Sequence, residues 1–399
     1  MATTEALCVK DIKQVKDVLL RFYQPELDAL RFTAFVAVFI CHSVPNTVES
    51  EAIRGDVTLR ILADVKAMGN FGVCLFFLLS AFLITELLRR EYHKFSFIRI
   101  KAFYLRRILR IWPLYFCITV IYAFGGHFFP ALHLEPKRIA AYFLLAGNWY
   151  IFLHPWIKTP LRALWSISVE EQFYLVWPWA MKFRTDRWLV AICIVFILAS
   201  ICTVYITSVN QQYAYITVWV NSLVQFQFFA WGALLAITAR GRVPKIQNWQ
   251  RAGMAVAGIF FWWVAAAIEQ IKHPGPHPPF QYCFGYLWVA IGCILIFLAF
   301  WGINSHKIPS CSVYLGKISF GLYVFHETAF LLTDELQKHI ENSSVSALWI
   351  SDHLYPVLLL NKAIAFTLTV GLAALSYRFW ESPFLRFKQK LTLIESRSI

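Results

Sequence analysis

Charge is scarce in this sequence: 15% of its 399 residues are Asp, Glu, Lys or Arg, while 59% are hydrophobic. Soluble domains are nearer one half apolar, so a soluble globular protein is excluded. The apolar segments run almost end to end with short connectors, which leaves no room for a separate soluble domain of ordinary size. No CxxC and no His/Cys metal spacing is present, and most of the nine cysteines (Cys41, Cys74, Cys117, Cys193, Cys202, Cys293) fall inside apolar runs. They read as small buried hydrophobes, and neither disulfides nor a metal site is expected. Despite a formal charge of +14 there is no nucleic-acid motif. The first 25 residues lack the apolar core of a signal peptide. An internal repeat is missing too, and with it the inverted-repeat signature of many transporters.

What the chain does have is a series of hydrophobic segments, which predicts an all-α, polytopic membrane protein with about ten transmembrane helices. The expected spans are 26–45, 70–88, 112–128, 165–181, 187–208, 215–239, 252–267, 281–301, 313–332 and 356–377. Lys10, Lys13, Lys16 and Arg21 ahead of the first span place the N-terminus in the cytoplasm, and the basic loops around Arg106–Arg110, Lys182–Arg187 and Arg240–Arg251 belong on that side as well. An even number of crossings must then separate Arg110 from Lys182. The segment 139–153, the shorter of two marginal candidates, is therefore expected to be re-entrant or interfacial. Both termini come out cytoplasmic, and the chain divides into an N-terminal segment 1–25, a membrane domain 26–383 and a tail 384–399.

Four groups of residues carry chemistry. In the first span, ELDALRFTAFVAVFICHSVP, Arg31 to His42 is about 20° past three helical turns and Asp28 to His42 about 40° short of four. Asp28, Arg31, Phe35 and His42 thus share a face. Ionisable groups are costly in hydrocarbon and line sites or cavities, although Asp28 and Arg31 at headgroup depth, merely paired, is the plain alternative. An imidazole there is suited to act as a general base toward a hydroxyl. Arg106, Arg107 and Arg110 form a fork suited to phosphate, or alternatively an ordinary positive-inside flank. Glu170 and Glu171, flanked by Trp165, Phe173, Tyr174 and Trp177, offer one inward carboxylate and aromatic faces for a sugar, or an interfacial aromatic belt. His326, followed by Glu327, is a second intramembrane histidine, a ligand-positioning group or a packing residue.

LDALR followed by an intramembrane His, NFGVCLFFLLSAFLIT, FYLRRILRIWPLY, LWSISVEEQFYLVWP, ISFGLYVFH and FWESP, in this order over Glu26–Pro383, resemble the successive motifs of membrane acyltransferase family 3. The resemblance implies an enzyme that moves an acyl group, acetyl above all, from acyl-CoA to a hydroxyl of a sugar, glycan or glycosylated metabolite, in a bacterial inner membrane. It carries the family's histidine onto His42, its aspartate and arginine onto Asp28 and Arg31, its cytoplasmic arginines onto Arg106, Arg107 and Arg110, and its glutamate onto Glu170. Acyl-CoA is then a co-substrate, and no permanently bound cofactor or metal is expected. Trp165, Tyr174 and His326 are further substrate-site candidates. Two positions depart from the pattern: Ala29 stands where the family has Gly, and Thr328 where it has Pro. Nothing after Pro383 suggests the extracytoplasmic domain some members append. The rivals are a non-enzymatic transporter of a sugar or lipid, and a polytopic acyltransferase class that uses a His/Asn pair.

Overall fold

The computed structural model describes residues 23–45, 57–128, 132–154, 157, 159–183, 185–209, 214–273, 277–341 and 354–391. The expectations placed on Lys10, Lys13, Lys16 and Arg21 lie outside the described residues. Within them every regular element is helical. In chain order these are α1 (Pro25–Ser43), α2 (Val57–Phe95), α3 (Ile100–Phe128), α4 (Pro136–Phe143), α5 (Gly147–Leu153), a 3-10 turn (Pro160–Leu164), α6 (Trp165–Phe183), α7 (Asp186–Ser208), α8 (Ala214–Val220), α9 (Ser222–Ala239), α10 (Asn248–Trp263), α11 (Pro279–Phe300), α12 (Ser310–Lys317), α13 (Ser319–Glu341), α14 (Leu354–Ser376) and α15 (Ser382–Lys390). Single π turns, Val264–Ile268 and Tyr377–Glu381, extend α10 and join α14 to α15.

Seven of these helical stretches are long and apolar enough to cross a membrane. Helices α1, α6 and α13 have the length, at 19, 19 and 23 residues, but each carries several charged groups: Glu26, Asp28 and Arg31; Glu170, Glu171 and Lys182; Glu327, Asp334 and Glu335. Those three helices hold the site. The stretch expected to be re-entrant or interfacial folds as α4 and α5, of 8 and 7 residues, reversed at Leu145 with φ 54°. At 1.5 Å per residue each reaches about 12 Å, far short of a ~30 Å hydrocarbon core. A buried polar knot holds them in: Asn148 donates to Ser222 at 2.8 Å and to the Val220 carbonyl at 3.1 Å, and Gln172 donates to Asn148 at 3.0 Å.

The hub is α2, whose most apolar stretch is 78% buried. It packs against α1 on one side and α9 on the other, with α6, α10 and α11 completing the ring. At 39 residues it is about 58 Å long. It therefore continues well past the span at 70–88, into the segment 57–66 that hydropathy assigns to a polar loop. Hydropathy reports only the part of a helix that must avoid water, and the protruding turns, with Arg60, Asp64 and Lys66, carry no such signal. The same holds for α3, which runs unbroken from the basic stretch into the span.

Without a hydrophobic drive between lipid-embedded helices, close backbone approach decides packing. A Cβ on Gly232 of α9 would lie 2.0 Å from the Leu78 carbonyl oxygen of α2, and one on Gly72 would lie 2.4 Å from that of Ala34 of α1. The second contact sets the register of the helix that carries His42. Gly232→Val is expected to lower stability by about 3 kcal/mol, the upper range for overpacking, since backbone and not a movable side chain is in the way. A fall in the thermal unfolding midpoint in detergent checks this, and an unchanged midpoint contradicts it.

Candidate active site

His42 is the penultimate residue of α1, in its last turn. Its Nδ1 lies 3.2 Å from Oε1 of Glu327 on α13 and 3.1 Å from Nη2 of Arg162. Arg162 donates to both Glu327 oxygens, from Nη2 at 2.7 and 2.9 Å and from Nε at 2.9 Å. What delivers this guanidinium is a local device: Thr159 accepts from the Leu161 N–H, Pro160 opens the 3-10 turn, and the side chain is thrown across to α13 just before α6 begins. The Glu327 and Arg162 side chains are only 4% and 12% exposed. A buried charge is tolerable only when paired and hydrogen-bonded, and a planar fork on a carboxylate is the arrangement that does so.

His326 stands behind His42, ring centroids 5.1 Å apart, and is fully buried. Its Nδ1 donates to the Tyr323 carbonyl at 2.6 Å, so Nε2 is left as an acceptor. That Nε2 lies 3.8 Å from Glu327 Oε1. Tyr323 in turn is held by Ser166 at 2.7 Å and donates to the Ala163 carbonyl at 3.1 Å, which ties α13 to the start of α6. His42, His326 and Glu327 have ligand-type atoms within 4.8 Å of one another. Arg162 already occupies Glu327 and faces His42, and a fixed cation in that position disfavours a second, metallic one. Arg162 links His42 to Glu327, and His326 packs beside them with its own hydrogen bond to Tyr323.

Three cavities follow α1 from one end to the other. The largest, about 890 Å³, is lined by His42, Arg162, Trp165, Trp219, Tyr323 and Lys66 among others. The second, about 80 Å³, shares Val73 and Tyr323 with it and adds Ser80, Glu170, Tyr174, Arg31, Arg107 and Arg110. The third, about 70 Å³, shares Arg31, Ser80, Arg107 and Arg110 with the second and adds Asp28 and Lys388. In the middle section Glu170 accepts from both Ser80 and Tyr174, whose hydroxyls are 2.8 Å apart.

The common face of α1 is real but serves two compartments. Asp28 and Arg31, paired at 2.8 Å, open on the far cavity. Phe35 is buried between, edge-on to His326, and His42 opens on the large one. Trp165 lines that cavity with His42, and Tyr174 lies one compartment away with Glu170. Glu170 is therefore not beside His42; the carboxylate there is Glu327. The arginine fork also divides. Arg107 and Arg110 face the cavities, whereas Arg106 is taken up by Glu91 at 3.0 Å and the Leu391 carbonyl at 3.2 Å. Thr328, at the departure from the family's proline, accepts from the Tyr122 hydroxyl of α3 at 2.9 Å. Arg162 went unnoticed in the sequence. An arginine in a short connector, three residues ahead of the apolar WSISVEE helix, was the available signal.

Helical bundle and cavities together describe a multi-pass membrane protein, with a histidine–carboxylate pair at one end of a polar route and arginines at the other. The chain belongs to membrane acyltransferase family 3: a family model described as an acyltransferase domain matches residues 24–380. It is similar to the peptidoglycan O-acetyltransferase OatA of Listeria monocytogenes, 27% identical over 391 residues, covering 91% of this chain and 56% of that protein. Similarity to the O-acetyltransferase OatA of Staphylococcus aureus is 33% over 186 residues, 45% of this chain and 28% of the relative. The chain spans about half the length of the curated relatives it matches. No solved structure matches it.

Proposed function

We propose that the protein is an integral-membrane O-acyltransferase that moves an acetyl or similar acyl group from acyl-CoA to a carbohydrate hydroxyl. The supporting observation is the series of cavities along α1, which joins arginines suited to phosphate with a histidine suited to proton abstraction. The named relatives favour a glycan of the cell wall as acceptor. In this reading Arg107, Arg110 and Arg31 hold donor phosphates at the cytoplasmic face. The slender pantetheine arm passes Ser80, Glu170 and Tyr174, and the thioester meets the acceptor beside His42. Arg31 to His42 is about 16 Å along the helix, within reach of an extended arm. The seven apolar helices and the three charged ones make ten crossings, α4 and α5 lie re-entrant or interfacial, and both termini are cytoplasmic in a bacterial inner membrane.

The chemistry follows the geometry. With its proton on Nδ1, His42 donates to Glu327 and keeps Nε2 as base; Arg162 directs its own donors at Glu327 and holds that carboxylate in place. Nε2 takes the proton of the acceptor hydroxyl as its oxygen attacks the thioester carbonyl carbon. The carbon–sulfur bond breaks, and the coenzyme A thiolate leaves with that proton. A transporter would have no use for thioester-length spacing between a phosphate fork and a base.

The donor arm of this reading is tested by separating the three arginines. Arg107→Gln and Arg110→Gln are each expected to weaken coenzyme A binding about tenfold or more, the size of a lost charge-assisted contact. Arg106→Gln is expected to weaken that affinity less, because its guanidinium is taken up by Glu91 and the Leu391 carbonyl, and to lower stability through Glu91. Titration of detergent-purified protein by calorimetry reads both. Equal affinity in all three variants and the unsubstituted protein would return the arginines to a purely topological role.

A further inference from the structure

Lys388 lies on α15, beyond the segment the family model matches. Its side chain helps close the 70 Å³ cavity together with Arg31, Arg107 and Arg110. It also stands within charge–charge range of Arg110, Arg107, Arg106 and Arg31. Four cations from three separate elements, α1, α3 and α15, thus line one small space. Among the described residues, the carboxylate lining that space is Asp28, which accepts from Arg31 at 2.8 Å. Basic residues that merely mark the cytoplasmic side point toward headgroups or water; these converge on one partly open cavity between helices. Like charges gathered there repel, and such a cluster is stabilised by an anion of matching charge density.

The placement of Lys388 is built into the fold. Trp380 donates to the Pro113 carbonyl of α3 at 3.0 Å, which ties the turn before α15 to α3. Arg106 donates to the Leu391 carbonyl at 3.2 Å, just after α15. Arg106, expected to bind phosphate itself, instead anchors the helix that brings Lys388 to the cavity.

We infer that α15 closes a composite phosphate site in which Lys388 joins Arg31, Arg107 and Arg110. The ligand class is a compact phosphorylated group with at least two negative charges. On the proposed function, on which this assignment rests, that group is the phosphate portion of the acyl donor; a lipid phosphate is the other source of the same chemistry.

The test compares Lys388→Met, which keeps the length and packing of the stem without charge, with Lys388→Arg, both in the full chain purified in detergent. Coenzyme A and pantetheine, which lacks the phosphates, are titrated into each. The expected result is coenzyme A binding weakened about tenfold or more in Lys388→Met, pantetheine binding unchanged, and affinity restored to within about threefold by Lys388→Arg. Should Lys388→Met not fold, Lys388→Gln takes its place. Wild-type affinity in the charge-removed variant overturns the assignment while leaving the donor reading intact. A wild-type protein that binds no coenzyme A sinks both. Native mass spectrometry in phosphatidylglycerol nanodiscs resolves the source: a bound lipid lost in Lys388→Met, with coenzyme A affinity unaltered, gives the cluster to lipid and overturns the donor assignment.

Discussion

His42→Ala is expected to reduce acyl transfer by about 10²- to 10⁴-fold, the range that general acid–base groups supply. The protein should still fold, because the His42 side chain is 22% exposed and borders a cavity, so its removal leaves little packing unfilled. Coenzyme A affinity should also survive, since the arginines proposed to bind the donor lie a compartment away. Transfer of labelled acetyl from acetyl-CoA to a cell-wall glycan, with equal amounts of monodisperse protein, is the measurement. A variant within threefold of the unsubstituted enzyme would remove His42 from the reaction. Glu327→Gln should give a smaller loss, because the amide still meets Nδ1 but no longer stabilises the charged imidazole.

Arg162→Met is expected to cost both stability and activity. Removing one partner of a buried pair leaves an uncompensated charge, at about 3–5 kcal/mol, and Glu327 is then 4% exposed with no guanidinium on its oxygens. Arg162→Lys cannot restore the two-pronged contact, because an ammonium is a point donor. The double variant Arg162→Met/Glu327→Gln distinguishes the two losses: stability should largely return, since no lone charge remains, while transfer should stay low because His42 has lost its orienting carboxylate. Thermal unfolding and the acetyl-transfer assay on the same preparations read the two effects. If Arg162→Met unfolds at the same temperature as the unsubstituted protein, the ion pair is not holding α13 to the 3-10 turn.

Much of the architecture was legible because a membrane imposes its own periodicity on composition. Apolar runs between basic clusters mark where helices cross, and charged groups within such runs are conspicuous, which is why Asp28, Arg31 and His42 stood out. Element length was less legible: α2 and α3 continue past the hydrocarbon, where a helix needs no apolar residues. Pairings were least legible. Helical phase places Arg106 and Arg110 on one face of α3, yet Glu91 at the end of α2 claims one of them. The carboxylate that meets His42 is not the one in the prominent VEEQ motif but Glu327, 285 positions away. Arg162 sits in a turn with no period to betray it, and its contact with Glu327 exists only once α13 is packed.

The narrow middle of the route also bears on permeability. A passage joining cytoplasm to the outer face would drain the proton-motive force if water filled it. The middle and far cavities, at about 80 and 70 Å³, are small beside the 890 Å³ chamber. In the middle cavity, the interlocked Ser80, Glu170 and Tyr174 bind one another, which takes up polar groups that could otherwise order a water chain. In the proposed reading, a chemical group passes along a wall of side chains, with no wide water-filled channel needed between the two sides.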